Sequence, residues 1–134
     1  MEKEKALKKT TIIIDENLPD SPVKVAIYGT LKKGHVRHRA ISHCTRHENQ
    51  VLNGLKMYHL GGYPGVVEQL DDEDLKQLEV EVYEASPEDV QRLDRIEGIP
   101  SLFRRVYSKE HDLYFYLYNH GAPEDSLIEN NIWE

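Results

Sequence analysis

The stretch that most limits what this chain can fold into runs from residue 78 to residue 118. Residues 78–84, Leu-Glu-Val-Glu-Val-Tyr-Glu, alternate apolar and charged side chains, and a period of two marks a strand with one face in a core. At Ser86, Pro87, Glu88 and Asp89 the pattern changes. Ser86 suits an N-cap, Pro87 the first helical position, and the acids fall in the first turn. Val90, Leu93 and Ile96 follow at helical spacing, and Gly98 with Pro100 ends the helix. Two further strands are predicted over residues 103–108 and 112–118.

The remaining elements are short. Residues 1–9 are charged and expected to fray, residues 10–15 form a β-branched run that reads as an extra strand, and residues 16–22 are turn-rich. Residues 1–22 are therefore expected to be an N-terminal extension and residues 23–134 the main domain. An apolar strand over 23–29 ends at Gly29 and passes into a loop over 30–34. One or two helical turns are expected within 35–43, a strand over 51–60, a turn over 61–65 and a brief strand at Val66 and Val67. In the acidic tail from His120, Trp133 is the expected anchor. Many strands and few, short helices indicate an α+β domain or a small barrel.

Size and charge narrow the function classes. A chain of 134 residues fits one domain. Seventeen Lys and Arg against 24 Asp and Glu give a net charge of -7, a field that repels polyanions, so nucleic acid is not the expected partner. The single cysteine, Cys44, cannot form an internal disulfide and fits a reducing compartment. No apolar run approaches the roughly 20 residues that span a bilayer, and no apolar signal-peptide core follows the charged N-terminus. The expected location is cytoplasmic, with no membrane partner.

Two constellations carry chemistry. The first is Tyr28, Gly29, Thr30 and Leu31, where a strand ending in glycine lets backbone N–H groups converge on a carboxylate or a reacting carbonyl oxygen. An ordinary strand-terminal turn accounts for the same residues. The second is Glu97, four residues after Leu93 and on the same helical face. A carboxylate on an apolar face at a helix C-terminus loses hydration and meets the negative end of the helix dipole, and both effects raise its pKa. That suits proton transfer. The alternatives are a surface glutamate or one paired with Arg104 or Arg105.

Together these features resemble the γ-glutamyl cyclotransferase-like (AIG2-like) superfamily: a Tyr-Gly-Thr-Leu-Lys-Lys-Gly loop, a Val-Glu-Val-Tyr strand, Leu93-Asp94 ahead of Glu97, and Phe103 followed by Arg104, Arg105 and Val106. The likeness is greatest to the γ-glutamylamine cyclotransferase branch and covers roughly residues 23–119. It implies a small mixed β-barrel with a few short flanking helices, substrate bound by Tyr28, Gly29, Thr30 and Leu31 together with Arg37 and Phe103, and Glu97 as acid/base. The implied reaction is attack of a γ-glutamyl α-amine on its own γ-carbonyl, releasing 5-oxoproline and an amine, without metal or cofactor. That branch usually carries Asn at the position of Arg37, Tyr at that of Phe103 and Gly at that of Val80. A non-catalytic protein of the same fold that binds a small ligand or a protein partner is the alternative.

Other clusters have plainer readings. His35, His38, His43, Cys44 and His47 lie in one segment with no second cluster, so a solvated, partly packed loop is expected rather than a metal site, and Cys44 lacks the signature of a nucleophile. Glu79 and Glu81 are expected to face solvent. The acidic run 71–74 lacks the spaced ligands of a Ca²⁺ loop. Tyr114, Tyr116 and Tyr118 share one strand face, expected to be core with one hydroxyl at a pocket.

Overall fold

The computed structural model describes residues 8–14, 17–71 and 73–134. The fraying expected for the first seven residues, and Asp72 of the acidic run, lie outside them. In chain order the elements are β1 (Ile12–Ile13), β2 (Val23–Ile27), a 3-10 turn (His38–Ala40), β3 (Thr45–Asn53), β4 (Leu55–His59), β5 (Pro64–Glu68), β6 (Gln77–Ala85), α1 (Pro87–Glu97), β7 (Phe103–Ser108), β8 (Leu113–Tyr118), a second 3-10 turn (Glu124–Ser126) and β9 (Leu127–Ile128). The chain is α+β, as its pattern predicts. No helix among the described residues is long and apolar enough to cross a membrane.

Hydrogen bonding groups the strands into a six-stranded sheet, ordered β1-β7-β8-β2-β6-β3, and a three-stranded sheet, ordered β5-β4-β9. The small sheet comes closest to the large one where β5 meets β8. There a Cβ added to Gly65 would lie 3.1 Å from Tyr118 Cβ. All pairings are antiparallel except that of β2 with β8. Strand β1 lies at the sheet edge, with Ile12 opposite Ser108 and Ile13 opposite Tyr107.

The large sheet is covered on both faces, which follows from the two-residue period of its strands. Ala26, Val80, Val82, Val106, Phe115 and Leu117 pack with Met57 and Val66 of the small sheet. Their alternates Val25, Ile27, Tyr83, Ala85 and Tyr116 pack with Val90 and Leu93 of α1. Val90 and Leu93 are 0% and 1% exposed, and such burial contributes about 1.5–3 kcal/mol per side chain.

Helix α1 starts and ends where its sequence indicates. Ser86 Oγ accepts the Asp89 N–H and Asp89 Oδ2 accepts the Ser86 N–H, both at 3.1 Å, forming a reciprocal capping box. Gly98 closes the helix in the left-handed region at φ 68°, a conformation that disfavours a Cβ.

Three expectations are corrected. The predicted strand over 51–60 is two strands in different sheets. Gly54, at φ 81°, turns the chain between β3 and β4. Glu81 does not face open solvent: its side chain is 12% exposed, because the face it shares with Tyr83 lies beneath the loop after β2. Trp133 is not the tail's only anchor. Asn131 is 4% exposed; its amide donates to Leu55 O (2.8 Å) and Gln77 O (3.1 Å) and accepts the Met57 N–H (3.1 Å). One buried amide thus joins the tail to strand β4 and to the first residue of β6.

Candidate active site

The end of β2 and the C-terminal turn of α1 meet around a cavity of about 100 Å³, large enough for an amino-acid-sized group. Tyr28, Gly29, Thr30, Leu31, Arg37, Glu97 and Phe103, all singled out in the sequence, line it together. Arg37 is exposed at the rim, and Tyr28, Leu31 and Phe103 are buried walls at 8%, 3% and 2% exposure.

The loop closes on itself and on β6. Lys32 N–H donates to Gly29 O (3.0 Å), Arg37 N–H to Thr30 O (2.9 Å), and His38 Nδ1 lies 2.9 Å from Leu31 O. From below, Glu81 Oε1 accepts the Lys33 N–H (2.9 Å) and the Tyr83 hydroxyl (2.8 Å), with Arg46 Nη2 3.9 Å from its other oxygen. Among the described residues no backbone or side-chain acceptor takes the Thr30 and Leu31 N–H groups. Both residues line the cavity, and backbone N–H groups without an acceptor are the donors such a loop can offer to an oxygen.

Gly29 matters for a reason other than the one its sequence context suggests. Its φ is not in the left-handed region. A Cβ there would meet Pro64 Cγ at 2.7 Å and Cδ at 3.1 Å. Space, not backbone strain, demands glycine.

Glu97 has no hydrogen-bond or ion-pair partner among the described residues, and the two arginines weighed as partners from the sequence, Arg104 and Arg105, are engaged elsewhere. Arg105 pairs with Asp94, and Asp94 also accepts the Tyr116 hydroxyl at 2.8 Å. Arg104 Nη2 lies 3.6 Å from Glu68. The Asp94 contacts tie the last turns of α1 to β7 and β8 and so hold Glu97 at the cavity. Burial pushes the Glu97 carboxyl from its ordinary 4.5 up to about 7, and the Arg37 guanidinium pulls partly against the rise. Tyr28, whose hydroxyl donates to Tyr116 O at 2.7 Å, is shifted well above its ordinary value, first by burial and then by Glu97.

Such a cavity can shuttle one proton near neutral pH and hold an oxygen on backbone donors. Its other walls come from Ala26 and Ile27 of β2 and from Tyr63, Pro64, Ile96, Leu102 and Tyr116. Tyr63 and Pro64 read as part of a turn in the sequence. No local pattern marks them, since they face the site only through the seating of β5 beside Gly29. Tyr116 is the member of the tyrosine stripe that lines the cavity, and its hydroxyl is donated to Asp94. Cys44 lies outside the cavity, and burial, then Asp89, push its thiol up to about 11, leaving it a poor nucleophile near neutrality.

Comparison with known proteins agrees with this geometry. Residues 25–134 match the family described as gamma-glutamyl cyclotransferase, AIG2-like. Among solved structures, the uncharacterized protein PH0828 from Pyrococcus horikoshii is similar, with a TM-score of 0.65, 26% identity, and 82% of this chain and 88% of that one covered. An AIG2-like protein from Mus musculus has a TM-score of 0.59 at 23% identity, covering 78% of this chain and 82% of that one. YkqA from Bacillus subtilis has a TM-score of 0.60 at 22% identity, covering 84% of this chain but 39% of that longer one. No curated protein sequence matches. With the family match spanning nearly all of the two-sheet domain and the whole cavity, this chain belongs to the gamma-glutamyl cyclotransferase, AIG2-like family.

Proposed function

We propose that the chain is a γ-glutamyl cyclotransferase acting on a γ-glutamyl amine or a related small γ-glutamyl compound. The substrate's α-amine attacks its own γ-carbonyl carbon and the ring closes to a five-membered lactam. The C–N bond to the leaving amine breaks, giving 5-oxoproline and that amine. Glu97 takes one proton from the α-ammonium and returns it to the departing nitrogen, and the second proton that the attacking nitrogen sheds on becoming the lactam N–H leaves on the product amine as its ammonium. A carboxyl near pKa 7 is matched to both halves of that transfer. In this reading the Thr30 and Leu31 N–H groups hold the oxyanion, and a snug cavity favours the curled conformer in which attack is intramolecular.

The observation that carries this reading is the unpaired Glu97 carboxyl, pushed to about 7, in the same cavity as the open donors of the Tyr28–Leu31 segment. The test is release of 5-oxoproline from a panel of γ-glutamyl compounds by the wild type and by Glu97→Gln. Turnover in the wild type that falls by orders of magnitude in the variant supports the assignment. Full activity in Glu97→Gln removes it. No turnover of any panel member by folded wild type leaves the cavity a binding role instead.

A further inference from the structure

We propose that His43, Cys44 and Asp89 form a binding site for one borderline-soft divalent ion of the Zn²⁺ type, separate from the cavity that holds Glu97. In the sequence, the His-rich segment lacks a second ligand-bearing partner. The fold brings one, because Asp89 at the start of α1 lies against the end of the segment just before β3. One ligand atom from each of the three residues lies within 4.8 Å of the others.

The distances approach a tetrahedral face that forms when Asp89 turns one oxygen to both partners, since the sulfur now lies nearest Oδ2 and the imidazole nearest Oδ1. Cys44 Sγ is 3.7 Å from His43 Nε2 and 3.7 Å from Asp89 Oδ2, and His43 Nε2 is 2.8 Å from Asp89 Oδ1. An ion with bonds of about 2.0–2.3 Å sets tetrahedral neighbours about 3.3–3.5 Å apart. Both sulfur edges are within a few tenths of an ångström of that spacing, and the His–Asp edge needs to open by about half an ångström. A His–Asp hydrogen bond and the capping box explain where Asp89 and His43 sit. They do not explain a thiol equidistant from both, since S–H is a weak donor and gains little at that range.

The donor set selects the ion class. Sulfur, imidazole nitrogen and one carboxylate suit Zn²⁺ and its neighbours, whereas Mg²⁺ and Ca²⁺ prefer oxygen ligands throughout. The carboxylate is already oriented, because its Oδ2 accepts the Ser86 N–H. The thiol gives its proton to solvent as sulfur binds. His43 is 53% exposed, leaving the fourth position to water. One group opposes the ion: Arg92 Nη1 is 3.3 Å from Asp89 Oδ1 and 3.5 Å from Ala40 O, on a side chain 46% exposed that has to swing outward as the ion binds. Occupancy would cross-link the segment that begins at Arg37 to the helix that carries Glu97, about 12 Å further along α1.

The probe is Co²⁺ added to the purified full chain after chelator treatment. Cys44 is the only cysteine, so a thiolate-to-cobalt charge-transfer band reports on that residue alone. The band should saturate at one equivalent per chain and bleach when Zn²⁺ is added. It should vanish in Cys44→Ser, and His43→Ala and Asp89→Asn should each weaken binding by at least about tenfold. Asp89 also caps α1, so His43→Ala decides the matter if Asp89→Asn lowers stability. Absence of the band at equimolar Co²⁺ would overturn the site. So would a band that His43→Ala leaves unchanged, which means a lone thiol, or saturation at half an equivalent, which means two chains joined through their thiols.

Discussion

Glu97→Gln exposes the central physical property of the site through stability as well as turnover. The fold holds this carboxyl in its protonated form, with a pKa of about 7 against an ordinary 4.5. The stabilisation from that proton is complete below pH 4.5, declines as the pH rises, and is gone once the pH passes about 7. An interval of about 2.5 units at about 1.4 kcal/mol per unit comes to about 3 kcal/mol. Glutamine keeps the shape and cannot ionise. The variant should therefore match the wild type at about pH 4.5 and exceed it by up to about 3 kcal/mol at about pH 8, or roughly 10 °C in Tm. Urea unfolding of both proteins across that range reads the difference directly. A difference that does not change with pH would show that the carboxyl is not desolvated. A wild type more stable than the variant at the alkaline end would show that the carboxylate is stabilised by a partner. Either result refutes the reasoning that makes Glu97 an acid/base.

Three further outcomes are expected. Arg37→Asn removes a positive charge that lowers the Glu97 pKa, so the acid limb of the pH–rate profile should move upward, and selectivity should shift towards γ-glutamyl compounds with basic leaving groups; an unchanged profile and substrate ranking would place the guanidinium outside the field of the site. Gly29→Ala drives a Cβ to 2.7 Å from Pro64 Cγ and should cost about 1–3 kcal/mol together with affinity for 5-oxoproline, both largely restored by adding Pro64→Ala; failure of that rescue would assign the defect to the backbone instead. Glu81→Ala leaves the Lys33 N–H without its acceptor and should lose about 1.5–3 kcal/mol and raise KM, whereas Glu81→Gln, which can still accept, should recover KM; equal KM values in the two variants would reduce Glu81 to a general stability role.

Much of this protein is decided within a few residues of chain. The alternation over 78–84, the Ser86 and Pro87 start, the Gly98 stop and the strand over 103–108 appear where local pattern puts them, because periodicity and capping depend on neighbours at most four or five positions away. The same locality made Glu97 legible, since its place on the helical face of Leu93 needs no knowledge of what covers that face. Other features are set by register and packing between residues far apart in sequence. Whether Arg105 would neutralise Glu97 or bind Asp94, whether Glu81 would meet water or the Lys33 N–H, and that Pro64 would press on Gly29 follow from which strands lie side by side. The break at Gly54 and the buried Asn131 amide are of this kind too, as each answers to contacts made across two sheets. By itself, then, the sequence determined the elements that periodicity and capping define, from β6 through α1 to β7, and the chemically capable residues, through short-range sterics and hydrogen bonds. Only the tertiary structure decided which of those residues are paired and which remain unpaired, because pairing depends on distances that chain separation does not constrain.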